Sequence, residues 1–361
     1  MKRATVVGAG IAGLATALRL ARDGWSVTVL ERAPALRTGG YVVNLVGFGY
    51  DAANRLGLLP ALRERDLGLV TTTLVRADGS HKYTVPSAVA EATVGSRALT
   101  VFRGDLETVL YEAVRDLADI RFGVTADPST DTDLFVGADG LHSATRSALF
   151  GDGFRVDLPY VVGAFPVSGP ATGEAVTYIG PGRTAGLMNF GPDRTAAFFT
   201  YRTDNPPAAL ARGALPALRD AFGDLGGVLG DALRTEPRDV YFDAVSQVVV
   251  PRWSDGHAVL LGDAAWCVTL FAGHGAGLAM AGADRLGEAL RAHAGVPDAL
   301  NAWESALRPE AVKRQAMARR GMRQFAPPSD FHVWLGDVAL RAMTLPGIRT
   351  LVRKGVERAN R

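Results

Sequence analysis

A single cysteine, Cys267, stands in the 361 residues, so no intrachain disulfide can form and the chain suits a reducing, cytoplasmic setting. Lysine is nearly missing, confined to Lys2, Lys82, Lys313 and Lys354, and the formal charge is only +2. A balance that small supplies no general attraction to polyanions, so no nucleic-acid partner is expected. No uninterrupted apolar run approaches the roughly 20 residues a spanning helix needs, which excludes integral membrane association. The basic-then-apolar opening has the look of a signal peptide, but three glycines and the charges of Arg19, Arg22 and Asp23 break it. Neither His-Glu-x-x-His nor paired Cys-x-x-Cys occurs, so no metal site is expected, and no Gly-x-Ser-x-Gly turn offers a nucleophile. Nothing repeats, nothing is low in complexity, and no feature marks an oligomeric state. The length and a 48% hydrophobic content predict about two globular domains with a substantial core.

What is present is concentrated at the start. Thr5-Val6-Val7 reads as a short β-branched strand, followed directly by Gly8-Ala9-Gly10-Ile11-Ala12-Gly13. Leu14 to Arg22 then reads as a helix with Ala and Leu on its buried side, closed by Gly24. Ser26 to Leu30 is a second strand ending in Glu31, 18 positions after Gly13. Strand, glycine turn, helix, strand and acid together form the dinucleotide fingerprint in the context it requires. Gly8 permits the sharp turn, Gly10 lets a pyrophosphate approach the backbone, and Gly13 lets helix and strand pack closely. The helix start, with Ile11 and Ala12, offers unpaired N–H groups and a positive dipole end to phosphates. Glu31 can accept two hydrogen bonds from an adenosine ribose, and the adjoining Arg32 completes this candidate set.

Further along, residues 70 to 85 alternate around the turn Ala77-Asp78-Gly79-Ser80, predicting a hairpin. Leu106, Val109, Leu110, Ala113 and Leu117 share one face of a helix that starts at Arg103. Leu134-Phe135-Val136-Gly137-Ala138-Asp139-Gly140 is an apolar strand ending in Asp-Gly, and Leu141 to Arg146 leads into a short helix. From about 160 to 250 the pattern becomes strand-rich and antiparallel, with a helical excursion at 208–234 and a turn at Gly191-Pro192-Asp193. Ala258 to Leu261 returns to a buried strand before Gly262-Asp263-Ala264-Ala265. A glycine loop, Ala272-Gly273-His274-Gly275-Ala276-Gly277, precedes a long helix from about Leu278, and the stretch from 298 onward is mostly helical.

Three separated motifs therefore occur in order: the opening fingerprint, Gly137-Ala138-Asp139-Gly140 with Arg146, and Gly262-Asp263-Ala264-Ala265 with its loop. With Arg103, they resemble the single-component FAD-dependent aromatic hydroxylases, the p-hydroxybenzoate hydroxylase-like flavoprotein monooxygenases. The Thr38-Gly39-Gly40 loop and compact size are most similar to the tetracycline-modifying and polyketide-tailoring members. The resemblance covers residue 1 to about 325. It implies an α/β fold with a Rossmann-like FAD-binding domain (1–70, 97–155 and 251–325) interleaved with a mainly antiparallel substrate domain (71–96 and 156–250). A C-terminal helical segment (326–361) would follow. By the same resemblance, Gly8, Gly10, Gly13 and Glu31 hold the ADP half of FAD, and Arg103 reaches its phosphate–ribityl side. Asp139 belongs to a motif linked to both FAD and NAD(P)H, and Asp263 contacts the ribityl chain or pyrophosphate. Gly273, His274, Gly275 and Ala276 run under the isoalloxazine, where a second helix N-terminus suits an anionic reduced flavin.

The implied activity is monooxygenation with NADPH or NADH and O₂. NAD(P)H reduces the flavin, O₂ adds to give a flavin hydroperoxide, and the distal oxygen passes to a small molecule. The apolar strands suggest an aromatic or polyketide-like substrate, with hydroxylation as the default and epoxidation or Baeyer–Villiger insertion as alternatives. No catalytic acid or base is assigned. A flavin-dependent reductase or dehydrogenase, and a non-catalytic dinucleotide- or ligand-binding protein, are the rival readings. Three departures stand out. Trp266 and Leu270 replace the histidine and proline usual after Gly-Asp-Ala-Ala, which puts the reaction-chamber wall in question. The link from Phe122 to Leu134 is trimmed of the usual extra strands. No Trp-x-Trp-x-Ile-Pro motif occurs, which disfavours the related halogenases.

Other residues divide between function and packing. His274 sits where it could bond flavin or substrate, although a loop histidine is more often structural. His142 and Cys267 read as packing or surface residues. Tyr178, Met188, Phe190, Phe199 and Tyr201 could line a substrate pocket, with alternation placing only some of them inward. Lys313, Arg314, Arg319, Arg320 and Arg323 read most simply as one wet helix face.

Overall fold

The computed structural model describes the chain except for residues 37–40, 96, 168–173, 192–193, 236, 238–239, 270, 272 and 360–361. The opening unit is β1 (Arg3–Val7), α1 (Ile11–Arg22) and β2 (Ser26–Glu31). Next come β3 (Val42–Val46), α2 (Phe48–Arg55), α3 (Leu59–Arg63), β4 (Thr72–Val75), β5 (His81–Val85) and α4 (Ser87–Val94). They are followed by β6 (Ala98–Phe102), α5 (Arg103–Val114), β7 (Asp119–Phe122), β8 (Leu134–Gly137) and α6 (Ala144–Phe150). The middle supplies β9 (Arg155–Pro166), β10 (Ala175–Gly180), β11 (Arg183–Asn189) and β12 (Thr195–Arg202). Three short helices, α7 (Pro206–Ala211), α8 (Ala214–Phe222) and α9 (Gly227–Arg234), separate these from β13 (Tyr241–Val248). Then come β14 (Ser254–Asp255), β15 (Ala258–Leu260), α10 (Asp263–Trp266) and α11 (Gly275–Ala292). The last helices are α12 (Val296–Phe325), α13 (Asp330–Met343) and α14 (Pro346–Ala359).

The first sheet has the order β14-β15-β8-β1-β2-β7. Its strands pair in parallel except at the β14–β15 edge. β1 and β8 are apolar and buried on both faces, as a parallel sheet covered by helices requires. Residues so distant in sequence meet here because β8 returns to the strand that began the chain and β15 then pairs with β8. Helix α1 offers Leu14, Ala15, Ala17 and Leu18 to this core, all fully buried. Charge also crosses the interior: Asp284 of α11 is fully buried and takes Arg19 of α1 and Arg55 of α2. A carboxylate shut away from water needs such partners. The pair of cations locks three helices behind the sheet.

The second sheet has the order β13-β9-β12-β11-β10-β4-β5, antiparallel except for the parallel β10–β4 pair. One face packs Phe165, Phe199, Leu218, Phe222 and Leu229 beneath α8 and α9. The opposite face gathers Val162, Val245 and Phe198 against Phe271 and Met322. β3 and β6 form a separate two-stranded ribbon. Helix α12, about 45 Å long for its 30 residues, ties the halves together. Trp303 near its start donates to Gly282 O at 2.9 Å, and Gln315 donates to Val248 O at 2.7 Å. Among the described residues no helix is long and apolar enough to cross a membrane.

Candidate active site

The three fingerprint glycines meet different demands. Gly8 has φ +102°, and a Cβ there would lie 2.6 Å from Ala138 O. At Gly13 a Cβ would fall 1.8 Å from Gly8 O, inside any tolerable contact. Gly10 differs: its backbone is extended, and the only atom near a built Cβ is Glu107 Oε1 at 3.6 Å. Two glycines thus close the turn, and the third leaves its α-carbon open. No side chain caps α1 and no acid sits in its first turn. Nothing within the helix's own first turn neutralises its leading N–H groups and positive end.

The surrounding donors and acceptors are fixed by the backbone. Glu31 accepts from Ala9 N and from Ala33 N, each at 2.8 Å, and each oxygen keeps a second lone pair. Arg32 beside it is exposed. Arg103 pairs with the buried Glu107 at 2.7 Å, and its own N–H donates to Tyr41 O at 3.0 Å. Gly262, at φ +69°, brings the start of α10 so close to α1 that a Cβ would lie 2.7 Å from Ala12 Cβ. Asp263 therefore stands beside the first helix terminus.

Asp263 is open to water, yet protein surrounds it closely enough that burial raises its carboxyl above the usual range, with Arg103 pulling it back. Both facts hold for a side chain on the wall of a deep groove. Tyr241 behaves alike: it is 46% exposed, and enclosure raises its hydroxyl, with Tyr41 adding to the effect. The two rings lie 6.4 Å apart, and burial pushes the Tyr41 hydroxyl up to about 12. Beneath them Cys267 is buried, its thiol raised well above the ordinary value by burial and then by Asp263.

A second uncapped helix start lies at α11. His274 is the N-cap residue of α11, where again no side chain caps the helix and no acid occupies the first turn. Built Cβ atoms at Gly273 and Gly275 meet nothing within 4 Å. The His274 ring meets Phe48 edge-on at 5.9 Å, and its Nδ1 is buried with no hydrogen-bond partner among the described residues. Burial, reinforced by Arg314, lowers its pKa to about 4, so the ring is neutral near pH 7. Ala276 follows in the first turn, and Gly277 packs directly on Gly49 of α2.

Asp139 is committed within its own turn. It accepts from Ser143 Oγ at 2.5 Å and from Thr145 N at 2.9 Å, and Ser143 in turn caps α6 through Arg146 N. Arg146 donates to Ala264 O at 3.1 Å and Leu141 O at 2.9 Å, fastening this turn to α10. His142, read as packing or surface, spans the two sheets. Arg155 of β9 donates to its Nδ1 at 3.0 Å, so Nε2 carries the proton and donates to Asp243 of β13 at 2.7 Å.

Several expectations are corrected here. Of the five sheet residues offered for a substrate pocket, Tyr178 and Phe199 belong to the core under α8 and α9, and Tyr201 packs against it. Met188, opposite Ala196 in register, shares the Phe198 face and is 38% exposed, and Phe190 meets Phe102 edge-on at 5.8 Å. That face also carries Tyr241, with Phe271 packed against Phe198. Arg314 is not on a wet face: only 13% of its side chain is exposed, and it lies 5.0 Å over Phe48. Trp266 does not form a chamber wall. It is 2% exposed and packs in the core against Trp253 at 4.6 Å and Trp303 at 5.8 Å. Thr38, Gly39, Gly40, Leu270, Ala272, Pro192 and Asp193 lie outside the described residues. Tyr41, Phe48 and Tyr241 escaped sequence reasoning, since no local pattern singles them out.

A glycine turn on a parallel sheet, interleaved with an antiparallel sheet that faces it, defines a flavoprotein oxidoreductase of the FAD-binding Rossmann-like type. A family profile described as FAD dependent oxidoreductase matches residues 3–79. FAD-dependent monooxygenase asL6 of Sarocladium schorii is 31% identical over 373 aligned positions, covering 89% of this chain and 87% of that protein. An uncharacterized protein of Mycobacterium tuberculosis is 30% identical, covering 81% and 86%. Among solved structures, tetracycline destructase Tet(51) matches with a TM-score of 0.81 at 24% identity over 100% of this chain and 98% of its own. Klebsiella pneumoniae HpxO, complexed with FAD and uric acid, matches with 0.77 at 21% over 97% and 96%. At those identities the structures share the fold. The chain belongs to the FAD-dependent monooxygenase family.

Proposed function

We propose that this protein uses NAD(P)H and O₂ to insert one oxygen atom into a bulky, largely apolar aromatic or polyketide-like small molecule, the second oxygen leaving as water. The observation that carries the reading is the pair of helix N-termini, α1 and α11. Neither has a side-chain cap or an acid in its first turn, and Arg103, Glu107 and Asp263 gather beside the start of α1. A dinucleotide cofactor with an anionic diphosphate at one end and an electron-rich ring at the other fits those donors. In this reading Gly10, Ile11, Ala12 and Gly13 receive the diphosphate of FAD through backbone N–H groups, and Glu31 receives the adenosine ribose with its free lone pairs. Arg103 and Asp263 flank the linking chain. Gly273, His274, Gly275 and Ala276 receive the ring system. Bound there, FAD supplies hydride acceptance and oxygen activation.

The chain's own residues then shape the chamber. Tyr41 and Tyr241 keep their hydroxyl protons across the working pH range, since enclosure raises both, so they offer hydrogen-bond donors to a substrate. Neutral His274 adds no positive charge and presents an Nδ1 with no partner among the described residues. Phe198, Phe271 and Tyr241 make the facing surface apolar, which favours a hydrophobic guest and excludes water. Solved relatives hold uric acid or a substrate with FAD, which agrees with a chamber for a small organic molecule. The test is to purify the protein, measure bound FAD, and follow NADPH and O₂ consumption with a panel of aromatic polyketides. Substrate-dependent uptake of one O₂ per NADPH, with product heavier by one oxygen, is the expected result. NADPH oxidation without oxygen uptake would refute it in favour of a reductase.

A further inference from the structure

Helix α13 turns a broad apolar stripe to solvent. Its part-buried side carries Asp337 beside Val333 and Leu340: Asp337 accepts from Tyr83 Oη at 2.8 Å and pairs with Lys82 at 2.5 Å, its side chain only 14% exposed. Arg341 lies 4.6 Å over the Tyr83 ring on the same side. The apolar stripe looks outward. Phe331, Trp334, Leu335 and Val338, spaced i, i+3, i+4 and i+7, are 63%, 58%, 51% and 45% exposed. No residue of α13 is buried, and the Phe331 and Trp334 rings stack on each other at 5.9 Å. A helix facing water carries polar residues on that side. The polar anchors fix which face points out, so the exposed stripe is held there by the fold.

Charge indicates what the stripe meets. Among the described side chains that follow the stripe, residues 344–355 hold three basic residues and no acid, in a chain whose total formal charge is +2. The segment directly after the stripe is therefore more basic than the whole. Within it Leu345 and Leu351 are 56% and 70% exposed, and Lys354 is exposed one turn beyond Leu351. An exposed aromatic and aliphatic stripe followed in the chain by a basic helix matches the boundary of an anionic lipid bilayer. Pairing with a second copy would cover the same stripe but bring two such basic segments together, which disfavours it. We infer that α13 and α14 form a peripheral docking surface for an anionic membrane, resting on the headgroup boundary without crossing it.

Vesicle co-sedimentation of the full chain tests this. Wild type should pellet with phosphatidylglycerol-containing vesicles, remain in solution with pure phosphatidylcholine, and be released by added salt. Trp334→Ser with Leu335→Ser should lower the partition coefficient at least tenfold. Lys354→Glu should lower it by about fivefold or more. Both variants should keep the wild-type melting curve, since these side chains are largely exposed. Failure of wild type to bind anionic vesicles would overturn the proposal. So would a dimer in light scattering that Trp334→Ser with Leu335→Ser converts to monomer without changing vesicle binding.

Discussion

Substituting alanine at Gly10 and at Gly13 makes the same chemical change three residues apart, and the structure predicts opposite consequences. At Gly13 the new Cβ would sit 1.8 Å from Gly8 O, a backbone atom that cannot swing away. Relief requires α1 to move off β1, so the cost should match or exceed the upper range for overpacking, about 3 kcal/mol. For a chain of this size that lowers the melting temperature by about 4 °C or more. At Gly10 the new methyl has 3.6 Å to its only neighbour, Glu107 Oε1, and the extended backbone accepts alanine. Stability should then fall by less than about 1 kcal/mol, the scale of a changed N-cap residue. That methyl stands where a diphosphate would reach the α1 N–H groups, and losing even two charge-assisted hydrogen bonds weakens FAD binding about a hundredfold or more. Far-UV circular dichroism melts of the apoprotein read the first effect, and quenching of flavin fluorescence on titration reads the second. The reasoning fails if apo Gly10→Ala melts as low as Gly13→Ala, or if it binds FAD as wild type does.

The other predictions concern groups whose surroundings decide their behaviour. His274 has a folded-state pKa of about 4 against an ordinary 6.5, so its stabilising effect is complete above 6.5 and is lost as pH falls toward 4. His274→Asn should flatten the stability profile in that window by up to about 3 kcal/mol, measured by urea unfolding across pH. Trp266→His, which installs the residue usual in similar enzymes, should destabilise by about 3 kcal/mol because it trades core packing for a buried polar ring. A melt unchanged from wild type would contradict the core placement of Trp266. Cys267, buried with a raised thiol pKa, should ignore Ellman's reagent until the protein unfolds and then react with one equivalent. Rapid labelling of the native protein would show that the wall around it is open.

The opening fingerprint was legible because its demands are local: a positive φ at Gly8 and the contact at Gly13 depend on residues within one turn. The ends of the other motifs were legible for the same reason. The chamber face was not. β12 is covered on both sides, Phe199 packing under α8 and Phe198 toward Phe271, so apolar residues occupy both phases of the alternation and neither phase announces which side faces the cofactor domain. Trp266 misled by proximity, since a residue three positions from Asp263 in sequence is nevertheless shut into the core behind α10. Arg314 misled because its helix face is charged, while Phe48, far away in sequence, draws that one guanidinium inward.

The way β1 recruits its neighbours bears on how the molecule comes into being. One side of β1 is completed by a strand from residues 134–137, which in turn awaits residues 258–260, and α1 finishes packing only once α11 exists. A ribosome therefore releases the whole second sheet before the first can close, leaving the outer edge of β8 unpaired until β15 emerges. Long-range pairing of that kind slows assembly and exposes strand edges meanwhile. An isolated fragment ending near residue 150 should consequently be insoluble or need a chaperone, even though it contains every residue of the opening glycine motif.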